Sequence, residues 1–267
     1  MAQVDVIIAI ILGIFQGLVE WLPISSSGQT LLAMVDILSI EADTALSLAF
    51  YLHFGTLCAV LLKMRKDVKH ILSRLPKYRE DELVRFLLIS TVVTGVVGIP
   101  VYILLVIFIR LGGGEIITLF VGIFLILTGL IIYFSKKKGG TRVVKDSKLK
   151  DSILAGVVQG FAVVPGISRS GVTVAALVAN DFDHSEALRI SFLMSIPAIL
   201  GVIILEAIRG GAENIGLLPI MAGIVAAFIV GYIMIDALIR FAQKVKFDGF
   251  CIVFGTIAVA VGIIIVI

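Results

Sequence analysis

Long apolar runs separated by compact polar clusters dominate the chain, and their lengths set the first expectation. Residues 44–62, 86–109, 115–134, 187–208, 216–241 and 248–267 are each mostly apolar. A helix crossing the hydrocarbon core of a bilayer needs about 20 such residues, so the pattern predicts about six spanning helices. Two further apolar segments, residues 5–22 and 152–164, are shorter. Each runs into a polar tract of small residues and then a second short apolar stretch. A helix interrupted in this way cannot face lipid, because its freed backbone groups would find no partner there. Both segments therefore read as re-entrant helical hairpins held inside protein.

Composition agrees. The 267 residues are 60% hydrophobic and 15% charged, against about 45–50% apolar and about 25% charged in soluble domains. The expected fold class is an all-α polytopic membrane protein, with residues 1–267 forming a single integral membrane domain. Residues 4–22 resemble a signal sequence in hydropathy but lack a basic flank and a small-residue cleavage site, so they are expected to belong to the mature fold. Cys58 and Cys251 lie in apolar runs without a C-x-x-C spacing and read as small buried hydrophobes. The net charge is only +3; its distribution says more than its size, and no nucleic-acid partner is expected.

Basic residues orient the spans. Lys63, Arg65, Lys66, Lys69, Arg74, Lys77, Arg79 and Arg85 fill residues 63–85. Lys136, Lys137, Lys138, Arg142, Lys145, Lys148 and Lys150 fill residues 135–151. Two spans separate these loops, which places them on one side with Lys244 and Lys246, and the positive-inside rule makes that side cytoplasmic. The charges read as solvated loops, with no chemistry assigned. The hairpin in residues 1–43 then enters from outside and the one in residues 152–186 from inside.

The halves look related. Gly13, Gln16, Gly17, Ser25, Ser27 and Gly28 match Gly156, Gln159, Gly160, Ser168, Ser170 and Gly171 at one offset. Asp43 and Asp183 each read as the N-cap of the next span. Gly122 and Gly129 recur as Gly255 and Gly262. The expectation is an inverted-topology repeat, with halves of approximately 1–134 and 152–267. Such folds place their working site near the midplane, where broken helices of both halves meet.

The polar residues of the hairpins supply candidate chemistry. Gln16 and Glu20, four apart, share a helix face, and an ionisable group at membrane depth points to function. Arg169 offers a forked donor suited to phosphate. Gly166 and Gly171 let backbone approach a ligand, and the neighbouring serines donate hydrogen bonds. A carboxylate beside a phosphate calls for a bridging divalent cation. Together they read as a phosphoryl site reachable from the bilayer, although a structural Glu20–Arg169 ion pair is the plainer alternative.

The stretches "QGLVEWLPISSSG" and "PGISRSGVT" resemble the two signature motifs of the undecaprenyl-diphosphatase family of the bacitracin-resistance type. The likeness extends over essentially the whole chain. It implies hydrolysis of a polyprenyl diphosphate to the monophosphate carrier lipid, a divalent cation (Mg or Ca), and a site open to the outer face of the cell membrane. By this resemblance Glu20 and Gln16 would hold the metal, Arg169 would be the phosphate clamp, and Ser26 the candidate nucleophile, with a water oriented by Glu20 as the alternative attacking group. Ser25, Ser27, Gly28, Gln29, Gly166, Ser168, Ser170 and Thr173 would bind substrate phosphate. Two positions depart from the pattern. Gln16 replaces a common glutamate, and Gln29 stands where many bacterial members carry a histidine proposed as general base. His53, the one histidine inside a predicted span, is a candidate replacement as base or phosphate ligand, with a hydrogen-bonded packing histidine as the plainer alternative. Other partners expected are membrane lipids and a second copy of the chain in a homodimer. A transporter or flippase for a lipid phosphate or small anion is the competing reading, since paired re-entrant hairpins also serve transport.

Overall fold

The computed structural model describes residues 4–114, 116–135, 140–211, 213, 215–242 and 247–266. Lys136, Lys137, Lys138, Lys244 and Lys246 of the basic loops lie outside them. The regular secondary structure of the described residues is helical, apart from an isolated bridge between Arg142 and Phe182. Among the described residues six helices are long and apolar enough to cross a membrane. They are α3 (Ala42–Lys63), α5 (Glu82–Phe108), α6 (Ile117–Phe134), α9 (His184–Arg209), α10 (Leu217–Ala242) and α11 (Phe247–Val266). Both interrupted segments form the expected pairs of short helices. The first is α1 (Val6–Val19) with α2 (Ser26–Leu32), and the second is α7 (Leu149–Phe161) with α8 (Arg169–Ala179). One further helix, α4 (Arg65–Arg74), follows α3.

The first leg of each hairpin is sheathed by a spanning helix. α1 lies along α10 and α7 lies along α5, α6 pairs with α11, and α3 packs chiefly on α10 and also on α9. Glycines set these approaches. A Cβ on Gly13 would sit 2.2 Å from the Gly223 carbonyl oxygen, and one on Gly17 would sit 2.8 Å from the Gly231 nitrogen. Their sequence counterparts do the same on the other side: Gly156 faces the Ser90 carbonyl oxygen at 2.7 Å and Gly160 the Val97 side chain at 2.6 Å. In the α6–α11 seam, Gly122 and Gly255 each face the other's carbonyl oxygen, at 2.9 and 2.7 Å. Between helices in lipid, where hydrophobic drive is weak, such small residues let backbones approach and gain dispersion contact. Outside these seams the spanning helices turn apolar side chains outward, among them Val92, Val96, Leu104, Ile208 and Ile264. The central member is α3, with 72% of its apolar window buried against 22–39% for the other spans.

Two local expectations need correction. Asp183 does cap α9, accepting from the Glu186 N–H at 3.0 Å. Asp43 caps nothing: α3 starts after Glu41, and the Asp43 carboxylate instead binds Arg209, with Arg110 3.5 Å away. The basic loops are also more than solvated chain. Arg142 clasps the Asn180 carbonyl and the buried Asp151 carboxylate, 2.7 and 2.6 Å away, with its guanidinium over the Phe182 ring.

The seams give a direct test. Gly122→Val should lower the thermal midpoint in detergent by several degrees, because overpacking a tight contact costs about 1–3 kcal/mol. Gly95→Ala should not lower it, since a Cβ there meets nothing within 4 Å. Equal midpoints for Gly122→Val and the parent would mean the α6–α11 seam is not formed this tightly.

Candidate active site

The site forms where the turns of the two hairpins touch. In the first, α1 ends at Glu20, whose N–H still bonds to the Gln16 carbonyl at 3.0 Å. Ser25 then takes the left-handed conformation, φ 59° and ψ 79°, immediately before α2. Such a backbone is costly for a residue with a Cβ, and the opposite hairpin holds it: Gly166 N–H donates to Ser25 Oγ at 3.0 Å. Gly166 itself has φ 100°, a region that favours glycine. Gly28 closes the junction, since a Cβ there would sit 2.7 Å from the Gly166 nitrogen.

The second turn must satisfy its freed backbone groups without water. Thr128 of α6 does this from both sides. Its hydroxyl donates to the Gly166 carbonyl at 2.9 Å and accepts from the Ser168 N–H at 3.2 Å. Ser168 then caps α8 by accepting from Gly171 N–H at 3.2 Å, which brings Arg169 to the first helical position.

Glu20 is the hub. It is 6% exposed. Oε1 accepts from Arg169 Nη2 at 2.5 Å. Oε2 accepts from Gln16 Nε2 at 2.9 Å and from Ser26 Oγ at 2.5 Å, with His53 Nε2 3.3 Å away. His53 Nε2 is also 3.4 Å from Ser26 Oγ, while Nδ1 lies 2.6 Å from the Ala49 carbonyl oxygen. A carbonyl only accepts, so Nδ1 carries the proton, and in the neutral ring Nε2 offers its lone pair toward Ser26. Arg169 is steadied by donating Nη1 to the Ser191 carbonyl at 3.3 Å. Thr173 sits beneath it, bonding to the Arg169 carbonyl and Ser191 Oγ at 2.7 and 2.6 Å.

This cluster faces a cavity of about 420 Å³. Glu20, Ser25, Ser26, Ser27, His53, Ser168, Arg169 and Ser170 all line it, so most of the expected residues converge. The first turns of α2 and α8 both reach it, adding two positive helix ends suited to an anion. The remaining wall is largely apolar, built from α5 and α9 with Gly95, Gly98, Ile99, Gly201, Val202 and Ile204. Gly95 and Gly201 have open space where a side chain would stand.

Five expected residues stand outside this lining. Gln16 is buried behind Glu20. Gly28 and Gly166 serve the contact between the turns, and Thr173 supports Arg169. Gln29 turns its Nε2 to the Ile24 carbonyl, 3.4 Å away. Thr128 and Ser191 were missed, although a hydroxyl inside an apolar run is itself a signal that something needs a partner.

Among the described residues no three His, Cys, Asp or Glu side chains gather into a metal cage. Several buried polar atoms among the described residues have no partner, and one of them, Gln16 Oε1, belongs to the side chain that donates to Glu20. A hard cation held by one carboxylate and one amide oxygen, with water and phosphate oxygens completing its shell, is compatible with that donor set.

Comparison with known proteins matches residues 9–264 to the family described as bacitracin resistance protein BacA. The chain is similar to the undecaprenyl-diphosphatase of Methanothrix thermoacetophila, 39% identical over 256 residues and 96% of each chain. It is 42% identical over 262 residues to that of Methanococcoides burtonii, covering 94% of this chain and 96% of the relative. The similarity to that of Haloarcula marismortui is 37% over 268 residues, covering 97% and 98%.

Removing one partner of a buried ion pair strands the other charge, typically at about 3–5 kcal/mol. Arg169→Ala should therefore lower the thermal midpoint in detergent, and adding Glu20→Gln should recover part of the loss. Additive losses in the double variant would show that the two charges are not coupled.

Proposed function

The chain belongs to the bacitracin resistance protein BacA family, and on that premise we propose that it hydrolyses a polyprenyl diphosphate of the undecaprenyl type. The products are the monophosphate carrier lipid and inorganic phosphate. The observation that carries this reading is a serine hydroxyl held by a carboxylate at 2.5 Å and faced by an imidazole nitrogen at 3.4 Å. Both stand with Arg169 on the wall of a mostly apolar cavity. The diphosphate binds at the polar cluster, and the prenyl chain runs along the apolar wall of α5 and α9.

In this reading Arg169 and the starts of α2 and α8 grip the terminal phosphate. As Ser26 Oγ attacks its phosphorus, the hydroxyl proton, directed at Glu20 Oε2 beforehand, swings to His53 Nε2 3.4 Å away. The P–O anhydride bond breaks, and the polyprenyl monophosphate leaves with that proton on its new terminal oxygen. A water then attacks the phosphoserine, giving one proton to His53, which returns it to Ser26 Oγ as phosphate departs. Glu20 is committed to Arg169 and orients Ser26, which leaves the imidazole as the better-matched base. Gln29 cannot take a proton and points elsewhere. A divalent cation fits beside Glu20 and Gln16 Oε1 and would supply positive charge to the phosphate oxygens.

Sidedness belongs to the same proposal. The basic end of the bundle faces the cytoplasm, and the site opens to the other side of the cell membrane. The matched glycine seams, α1 on α10 and α7 on α5, support two halves of opposite orientation.

The reaction is tested by phosphate release from a polyprenyl diphosphate in detergent. Turnover should vanish in excess chelator and return with Mg or Ca; full turnover in chelator would remove the metal from the scheme. For the nucleophile, Ser26→Ala and His53→Ala should each lower the rate by about 10²–10⁴, the usual worth of a positioned base. Gln29→His in the His53→Ala background should recover part of it. Rates within about threefold of the parent for both would exclude serine attack. For sidedness, a cysteine replacing Lys145 should react with an impermeant reagent only from inside, and one replacing Gly216 from outside. Labelling of position 145 in intact cells would overturn the orientation.

A further inference from the structure

The sequence assigned no role to the basic residues after α3, but their arrangement is specific. Val68, Ile71, Leu72 and Leu75 recur at helical spacing and form one apolar stripe along α4 and its exit. Val68 and Ile71 are half-buried, and Ile71 packs on the core beside Leu83 and Phe86. Further along the stripe Leu72 and Leu75 are exposed among the described residues, at 66% and 43%. α4 joins α3 directly and touches the start of α5, so it is held where two spans reach the membrane surface.

The charges around this stripe are sorted by sign. The acid on α4, Asp67, is bound by Arg189 of α9 at 2.5 Å. Asp81 accepts from His70 at 2.7 Å and from the Val84 N–H, and Glu82 pairs with Arg85. Two nearby acids stay exposed without an ion pair among the described residues: Glu80, and Asp146, whose carboxylate accepts only the Val143 N–H. Arg65, Lys66, Lys69, Arg74 and Lys77 are exposed and form no ion pair among those residues. The segment before α7 continues the surface. Val144 packs in the same core cluster as Ile71, and Lys145, Lys148 and Lys150 are exposed beside the exposed Leu149.

We infer that this end of the molecule is a docking surface for the headgroups of anionic lipids in the adjoining leaflet. Leu72, Leu75 and Leu149 dip into the acyl boundary while the unpaired lysines and arginines reach the lipid phosphates. An interfacial helix is recognised by this combination of an uncovered apolar edge and a cationic face. Each basic residue near an anionic surface adds appreciable attraction, which salt weakens. The inference is independent of the hydrolase reading.

The test uses the full chain purified in a neutral detergent and titrated with phosphatidylglycerol or phosphatidylcholine in mixed micelles. Thermal midpoint and lipid retained in native mass spectrometry are both read. Phosphatidylglycerol should raise the midpoint and be retained, phosphatidylcholine should do neither, and high salt should weaken the effect. Combining Lys66→Gln, Lys69→Gln, Arg74→Gln and Lys77→Gln should cut phosphatidylglycerol affinity by about tenfold or more. A Leu72→Ser, Leu75→Ser variant should weaken it with every charge in place. Equal effects of the two lipids would overturn the inference. So would undiminished phosphatidylglycerol binding by the quadruple variant, or an equal rise with inorganic phosphate alone.

Discussion

A carboxylate and a guanidinium from opposite halves of the chain meet at 2.5 Å, in a setting where neither charge can stand alone. Holding that pair requires two helices to break within the protein, since Glu20 is offered at the end of one helix and Arg169 at the start of another. Each break releases backbone groups that lipid cannot satisfy. Thr128 supplies a hydroxyl to both sides of the second turn, and the second turn supplies an N–H to Ser25 in the first. The turns are therefore not independent. Each completes the other, and both are needed to set the distance between Glu20 and Arg169.

The glycine seams follow from the same constraint. A short hairpin leg gains little from its own length, so its depth must be set by a longer neighbour. α1 is seated on α10 through Gly13 and Gly17, and α7 on α5 through Gly156 and Gly160. These contacts are backbone to backbone or nearly so, which leaves little freedom to slide. The hairpin tips inherit that precision, and so does the 2.5 Å separation of Ser26 Oγ from Glu20 Oε2. The wall between α5 and α9 shows the opposite use of glycine. At Gly95 and Gly201 nothing approaches, and the missing side chains leave cavity.

What could be read in the sequence follows this physics. Six spans and two interrupted segments were legible because hydropathy and the need to bury broken backbone act locally along the chain. Glu20, Ser26, His53 and Arg169 were legible because polar groups are conspicuous in apolar runs. What escaped depends on contacts distant in sequence. Asp43 looked like a cap, yet its carboxylate is taken by Arg209 of α9, which no local pattern could announce. Gly28 and Gly166 looked like ligand contacts, and the structure shows them at the touch of one turn on the other, a role that local sequence does not announce. Gln29 follows the motif in position but not in direction, since its side chain turns to Ile24. The basic segment after α3 looked like solvated loop because its apolar stripe is too short to register as a span.

Charge accounting ties the site to its substrate. Away from the site, one charged cluster among the described residues is closed on itself: Glu206 takes Tyr102 OH and Arg209, and Arg209 also takes Asp43. At the site Glu20 and Arg169 also cancel, but the guanidinium is not used up. Of its five N–H donors, Arg169 directs Nη2 to Glu20 and Nη1 to the Ser191 carbonyl. The remaining N–H groups are available to a phosphate entering the cavity that Arg169 lines. A terminal phosphate brings a charge of about −2, so occupancy drives a neutral pocket strongly negative beside a buried carboxylate. Two helix N-termini offset only part of that, each worth roughly half a unit charge. The electrostatic shortfall lies next to Glu20 and the unpartnered oxygen of Gln16, where a divalent cation would offset it.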